Sequence, residues 1–191
     1  MTAKRKEIEM DNEKKERFDL NFHTARLLHS EPFFTAISRR IQKRSSSSVP
    51  TAGVYFDEKS LQLNMVYNPK FFEKLTEKEK QAVIKHEYYH VVLGHITDRL
   101  PKDKENRMIW NIAADLAINS FLKNELPKNC CVPGVAPFEK FPEKECAEWY
   151  YNKLLKDKEK YLKQCGADGE GIGQFDSHDK WEGSDSEDEE A

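Results

Sequence analysis

The chain has 191 residues, 38% of them hydrophobic and 34% charged, and a formal net charge of -3. That length suits one domain with a sizeable core and is short for two. The near balance of charge leaves no global field to gather nucleic acid or an anionic membrane, and no stretch approaches the ~20 apolar residues of a membrane span.

The start, Met1-Thr2-Ala3-Lys4-Arg5-Lys6, runs on into Glu7, Glu9 and Asp11 rather than into an apolar signal core, so the cytoplasm is the expected location. Residues 1–12 read as a flexible tail and 13–163 as the folded domain. Within the latter, Glu13 to His29 places Phe18, Phe22, Ala25 and Leu28 at helical spacing. Ser30-Glu31-Pro32 reads as a stop and a new start, followed by a short helix through Phe33, Phe34, Ile37 and Ile41. Lys43 to Pro50, with four consecutive serines, reads as an exposed loop. Its basic cluster Arg39, Arg40, Lys43 and Arg44 is expected to be a solvated helix end.

After Pro50 the period becomes alternating. Val54-Tyr55-Phe56, a turn at Asp57 to Ser60, and Leu61 to Tyr67 predict an antiparallel hairpin. Phe71, Phe72 and Leu75 follow in a short helical turn. Thr76 with Glu79 three residues on makes a capping box, so a helix is expected from Glu77 to a stop at Gly94. A further helix from Lys104 to Asn124, ended by Pro127, precedes a proline-containing loop over Pro133 to Pro142. Glu143 to Leu155 then reads as a helix packing Cys146, Trp149, Tyr150 and Leu154. Cys130, Cys131, Cys146 and Cys165 include no CxxC pair and are expected to be free thiols. Residues 164–191, glycine-rich and then acidic, are expected to be disordered. Phe175 to Trp181 within them reads as a linker or docking peptide. The elements together predict an α+β fold, mainly helical with a small antiparallel hairpin or sheet.

The helix from Glu77 carries His86-Glu87-Tyr88-Tyr89-His90. Residues at i and i+4 lie about 40° apart round the axis, so both imidazoles can reach one metal ion. Glu87, one step round from His86, stands beside that position, where a carboxylate can take a proton from water and return it to a leaving amine. Ala82, Val83, Ile84, Tyr88, Tyr89, Val91, Val92 and Leu93 make most of this helix apolar and predict its burial. Buried histidines and a buried glutamate need strong partners, which a cation supplies.

A catalytic zinc usually has three protein ligands. A histidine six residues after His90 would signal a metzincin, but Ile96 stands there. His95 falls half a turn off the metal face if the helix persists, and is a candidate ligand or a residue behind the ligands. Asn111, Asp115 and Asn119 recur every four residues inside the next apolar helix, as a polar stripe. Asp115 is the better candidate for the third ligand; a hydrogen bond orienting His86 or His90, or a purely structural role, are its alternatives. Tyr89 could donate to a developing oxyanion, although packing is the simpler role.

HEYYHVVLGH at His86 to His95, followed by WNIAADLAIN at Trp110 to Asn119, resembles the metallopeptidase-type domain found at the N-terminal side of proteins with a von Willebrand A-like domain in bacteria and phages. The resemblance covers about residues 20 to 180. It implies a zincin-like fold, one zinc ion held by His86, His90 and Asp115, and Glu87 as general base. The expected activity is hydrolysis of a peptide or protein substrate, aided by strand Leu61 to Tyr67 as a sheet edge for the substrate. The alternative is a catalytically inactive, zinc-stabilised module that recruits a protein partner through the acidic tail.

Overall fold

The computed structural model describes residues 18–128 and 130–165. The expected tails, the segment Phe175 to Trp181 and the first turn of the helix expected from Glu13 lie outside them. Helix α1 (Leu20–Ser30) starts where Asp19 caps it, its carboxylate accepting from the Asn21 amide at 2.9 Å. Phe18 therefore precedes the helix instead of lying on its face, and stacks on Phe72 at 4.9 Å between ring centroids. The chain stops at Glu31 as expected and re-enters through a 3-10 turn at Pro32–Phe34 and the short helix α2 (Thr35–Ser38).

Ile41 does not extend that helix. It opens strand β1 (Ile41–Ser45), which pairs in parallel with β3 (Gln62–Tyr67), while β2 (Ala52–Asp57) pairs antiparallel on the other side of β3. The predicted hairpin is present, but the sheet is three-stranded and mixed, in the order β1-β3-β2. Two expectations fall with this: Lys43 to Ser45 is strand rather than loop, and β3 is the central strand rather than an edge. The cause is nonlocal. Only Ile41 of β1 is buried, so its sequence carries little strand signal, and the partner that completes its ladder lies some twenty residues on. Charged side chains such as Arg44 on an edge strand also discourage pairing with other chains.

Helix α3 (Pro69–Phe72) leads into α4 (Glu77–Val92), whose capping box is complete: Thr76 Oγ1 accepts from the Glu79 amide at 3.3 Å, and the Glu79 carboxylate accepts from the Thr76 amide at 2.8 Å. Gly94, at φ 66°, ends it in the left-handed conformation that favours glycine. Helix α5 (Arg107–Leu122) follows, then α6 (Ala147–Leu154) and α7 (Lys158–Gln164). Cys146 sits just before α6 and is exposed rather than packed. The last helix has no counterpart in the sequence reading; Tyr161 and Cys165 bury its inner face. No described helix is long and apolar enough to cross a membrane.

Two apolar clusters form. The first joins the sheet to α1 and one face of α4 through Leu27, Val54, Met65, Phe72, Ile84 and Tyr88. The second joins α5, α6 and α7 through Ile109, Leu116, Phe138, Tyr150 and Leu154. Lys85 helps to bind the two halves. It is buried on α4 and pairs with Glu31 after α1 at 2.7 Å and with Glu125 after α5 at 3.0 Å.

Candidate metal centre

The polar residues of α4 and α5 meet along the seam between the two clusters. His86, Glu87 and His90 are each at most 1% exposed, and Asp115 is 3% exposed. The Nε2 atoms of His86 and His90 are 3.0 Å apart, and Asp115 Oδ1 lies 3.4 Å from the first and 3.2 Å from the second. The three side chains form a group whose ligand atoms could hold one metal ion.

Asn119 decides how His86 presents itself. Its amide nitrogen donates to the Cys131 carbonyl at 2.9 Å, which turns its oxygen to His86 Nδ1 at 2.8 Å. That oxygen can only accept, so Nδ1 carries the proton and Nε2 of the neutral ring offers a lone pair. A lone pair at Nε2, a second imidazole nitrogen at 3.0 Å and a carboxylate oxygen bring three potential ligand atoms together. A proton on His90 Nε2 can point at only one of the other two, and Asp115 Oδ1 accepts no well-directed hydrogen bond among the described residues. A cation in the middle satisfies all three. Bonds of about 2.0–2.1 Å to a tetrahedral ion place neighbouring ligand atoms roughly 3.3–3.4 Å apart, close to the spacing seen here. Burial pushes the Asp115 carboxyl up, but the polar contacts and charges of His86 and His90 outweigh it and hold the group well below its ordinary value.

The other sequence candidates fall around this centre. His95 follows the end of α4, and its amide donates to the His90 carbonyl at 2.9 Å. Its ring lies 5.3 Å from that of His90 but is not in the ligand group. Burial, with a smaller contribution from Arg99, lowers its imidazole to about 4, so the ring is neutral at pH 7. Asn111, one turn before Asp115, lines a cavity beside His90. Tyr89 packs edge-on against Phe34 at 5.3 Å, and Tyr88 shares a 2.8 Å hydrogen bond with Ser38. Arg107 and Trp110, which line the same cavity as Asn111, were not singled out from the sequence. Extending the ladder of Asn119, Asp115 and Asn111 back by four would have reached Arg107.

Residues 16–191 match the family model described as "Putative metallopeptidase domain". The chain belongs to this family. A buried group of two histidines and an aspartate able to hold a metal ion fits a metal-dependent peptidase. The chain is also 40% identical over 58 residues to an uncharacterized protein of Thermotoga maritima, a match covering 30% of this chain and 14% of that relative. No solved structure matches.

Proposed function

We propose that the chain is a zinc-dependent peptidase with a zincin-like active-site helix, in which His86, His90 and Asp115 hold one ion and Glu87 is the general base. The observation that carries this is the buried group of three potential ligand atoms, with Glu87 next to His86 on the same helix. Two histidines and a carboxylate also suit other divalent ions. Zinc is favoured by its ease with a four-coordinate site of three protein ligands and one open position.

When bound, the ion supplies Lewis acidity, polarising a carbonyl and making water acidic enough to ionise near neutral pH. The chain's own residues do the rest. Asn119 keeps the His86 lone pair aimed inward and Glu87 accepts the proton of the attacking water. The same carboxyl then delivers it to the amine that leaves. The sheet offers open edges at β1 and β2, and β2 packs on α4 through Ala52 and Val54. An extended peptide added along β2 would lie beside the active-site helix, its backbone recognised without demand on most side chains.

Elemental analysis of the native protein and His90→Ala, with a peptidase screen of native and Glu87→Gln proteins, tests the reading. Near one zinc per native chain, little in His90→Ala, and hydrolysis that vanishes in Glu87→Gln are expected. Undiminished hydrolysis by zinc-loaded Glu87→Gln sinks the mechanism. Stoichiometric zinc with no hydrolysis of any unfolded substrate leaves the zinc-stabilised interaction module in its place.

A further inference from the structure

All four cysteines are free, and three of them are buried. Cys131, after α5, and Cys165, at the end of α7, belong to the same apolar cluster, in which α7 docks on α5. Their thiols meet directly. Cys131 donates to the Cys165 sulfur, which holds the Cys165 thiol below its ordinary value against the effect of burial. The same contact, with burial behind it, raises the Cys131 thiol well above its own. Cys130 is turned elsewhere: its thiol donates to the Pro127 carbonyl at 3.1 Å, and burial pushes it up to about 12. A thiol is a weak donor and a weak acceptor, and a small apolar side chain would fill either place as well. What this pair has and an apolar pair lacks is the capacity to be oxidised.

The pair also sits one step from the candidate metal centre. The Cys131 carbonyl accepts from the Asn119 amide nitrogen at 2.9 Å, and the Asn119 oxygen accepts from His86 Nδ1 at 2.8 Å. The backbone of Cys131 therefore helps to set the orientation of a candidate ligand. At the other end of the pair, α7 has seven residues and no side-chain cap at Asp157. A helix so short is held by its docking and not by its own turns, so it is among the first elements to open and let a reagent reach Cys165.

We propose that Cys131 and Cys165 are a redox-sensitive pair that closes a disulfide, tying α7 to the segment that holds Asn119 and so tightening the candidate metal centre on its ion. The action on the ion rests on the metal-site reading, whereas closure of the bond does not. The oxidant is a low-molecular-weight disulfide. Cys165, the more acidic thiol, loses its proton to solvent and attacks one sulfur of the reagent, whose other half leaves as a thiolate and takes up a proton. Cys131 then loses its proton, attacks the Cys165 sulfur and expels the second half as a thiol. Two protein thiols become one disulfide, and the reagent is reduced to two thiols. Because the sulfurs already touch, closure asks little of the backbone, and the bond then restricts the chain between them.

The test incubates the full chain with glutathione disulfide, counts thiols after quenching and denaturation, and maps the link by mass spectrometry. Loss of two of the four thiols is expected, through a Cys131–Cys165 link within one chain that dithiothreitol reverses. Cys130→Ala should behave like the native chain, while Cys131→Ala and Cys165→Ala should form no internal disulfide. Fragmentation between Cys130 and Cys131 assigns the link in the native chain, so the result stands even if a variant fails to fold. Survival of all four thiols, a link through Cys130 or a link between chains overturns the pair.

The native chain, loaded with zinc before oxidation, should release the ion to a chelator at least about tenfold more slowly than the reduced chain, the scale on which partners behind metal ligands act. Cys165→Ala, treated in the same way, should show no such change. A closed disulfide with zinc released at the reduced rate overturns the action on the metal centre. Closure in a chain that holds no zinc in either form removes the metal-site reading and leaves the redox pair standing.

Discussion

Helices α4 and α5 are each sixteen residues long and supply the two halves of the candidate metal centre, but they are built on different principles. Helix α4 is specified locally, with a complete capping box at its start and a left-handed glycine at its end. Helix α5 has no side-chain cap at Asn106 and is buried along nearly its whole length, so packing against α6 and α7 does for it what local signals do for α4. The histidines ride on the self-specified helix. The carboxylate and the amide that orients one of them ride on the helix that exists because it is covered.

That contrast can be broken at several points. The largest effect is expected from Glu87→Gln on α4: a fall in hydrolytic rate of about 10²–10⁴, the usual range for a general base, with metal content unchanged. Loss of metal together with activity would instead make Glu87 part of the ion's support. Next come the ligands. His90→Ala and Asp115→Ala should each weaken metal affinity by more than about 100-fold, since even partners behind the ligands are worth about 10–100-fold. Equilibrium dialysis of the two variants compares the helices directly, and retention of tight binding in Asp115→Ala alone would confine the site to α4.

Asn119→Ala comes third, at about 10–100-fold in metal affinity, because His86 is then free to take either tautomer. An affinity equal to the native value would show that the seam, not the amide, fixes the ring. Thr76→Ala removes the cap of α4 and should lower stability by about 1 kcal/mol in urea unfolding, with metal affinity little changed.

The smallest effect concerns the Arg99–Glu148 pair, which ties the loop after α4 to α6. The hydrogen bond from Arg99 lowers the Glu148 carboxyl to about 2 from an ordinary 4.5. A depressed carboxylate stabilises the fold above its unfolded value and loses that contribution as pH falls through its folded value. Glu148→Gln should therefore cost under about 1 kcal/mol at pH 7, as for a pair half open to solvent. Its difference from the native chain should close between about pH 4.5 and pH 2. A difference independent of pH would mean that packing rather than charge is involved.

Legibility followed the range of the interactions. The capping box, the Gly94 stop, the hairpin turn and the four-residue spacing of His86 with His90 depend on neighbours within one or two turns, and the structure has them where the sequence placed them. The strand Ile41–Ser45 reads in the sequence as the end of a helix and a loop. Its residues are mostly exposed, and only the backbone of β3 makes them a strand. For the same reason the hairpin could be found while the central place of β3 could not. Helix α7 was missed because its short length depends on Tyr161 and Cys165 docking into the second cluster.

By itself, then, the sequence determined two helices with the chemistry of a metal site spaced along them, because helical periodicity converts positions into faces without reference to the rest of the chain. Only the tertiary structure decided that Asp115 lies 3.2 Å from His90, that Asn119 rather than solvent holds His86, and that His95 faces a cavity with Arg107 instead of joining the ligands. Those are distances between segments far apart in the chain, and they are set by how two apolar clusters close on each other.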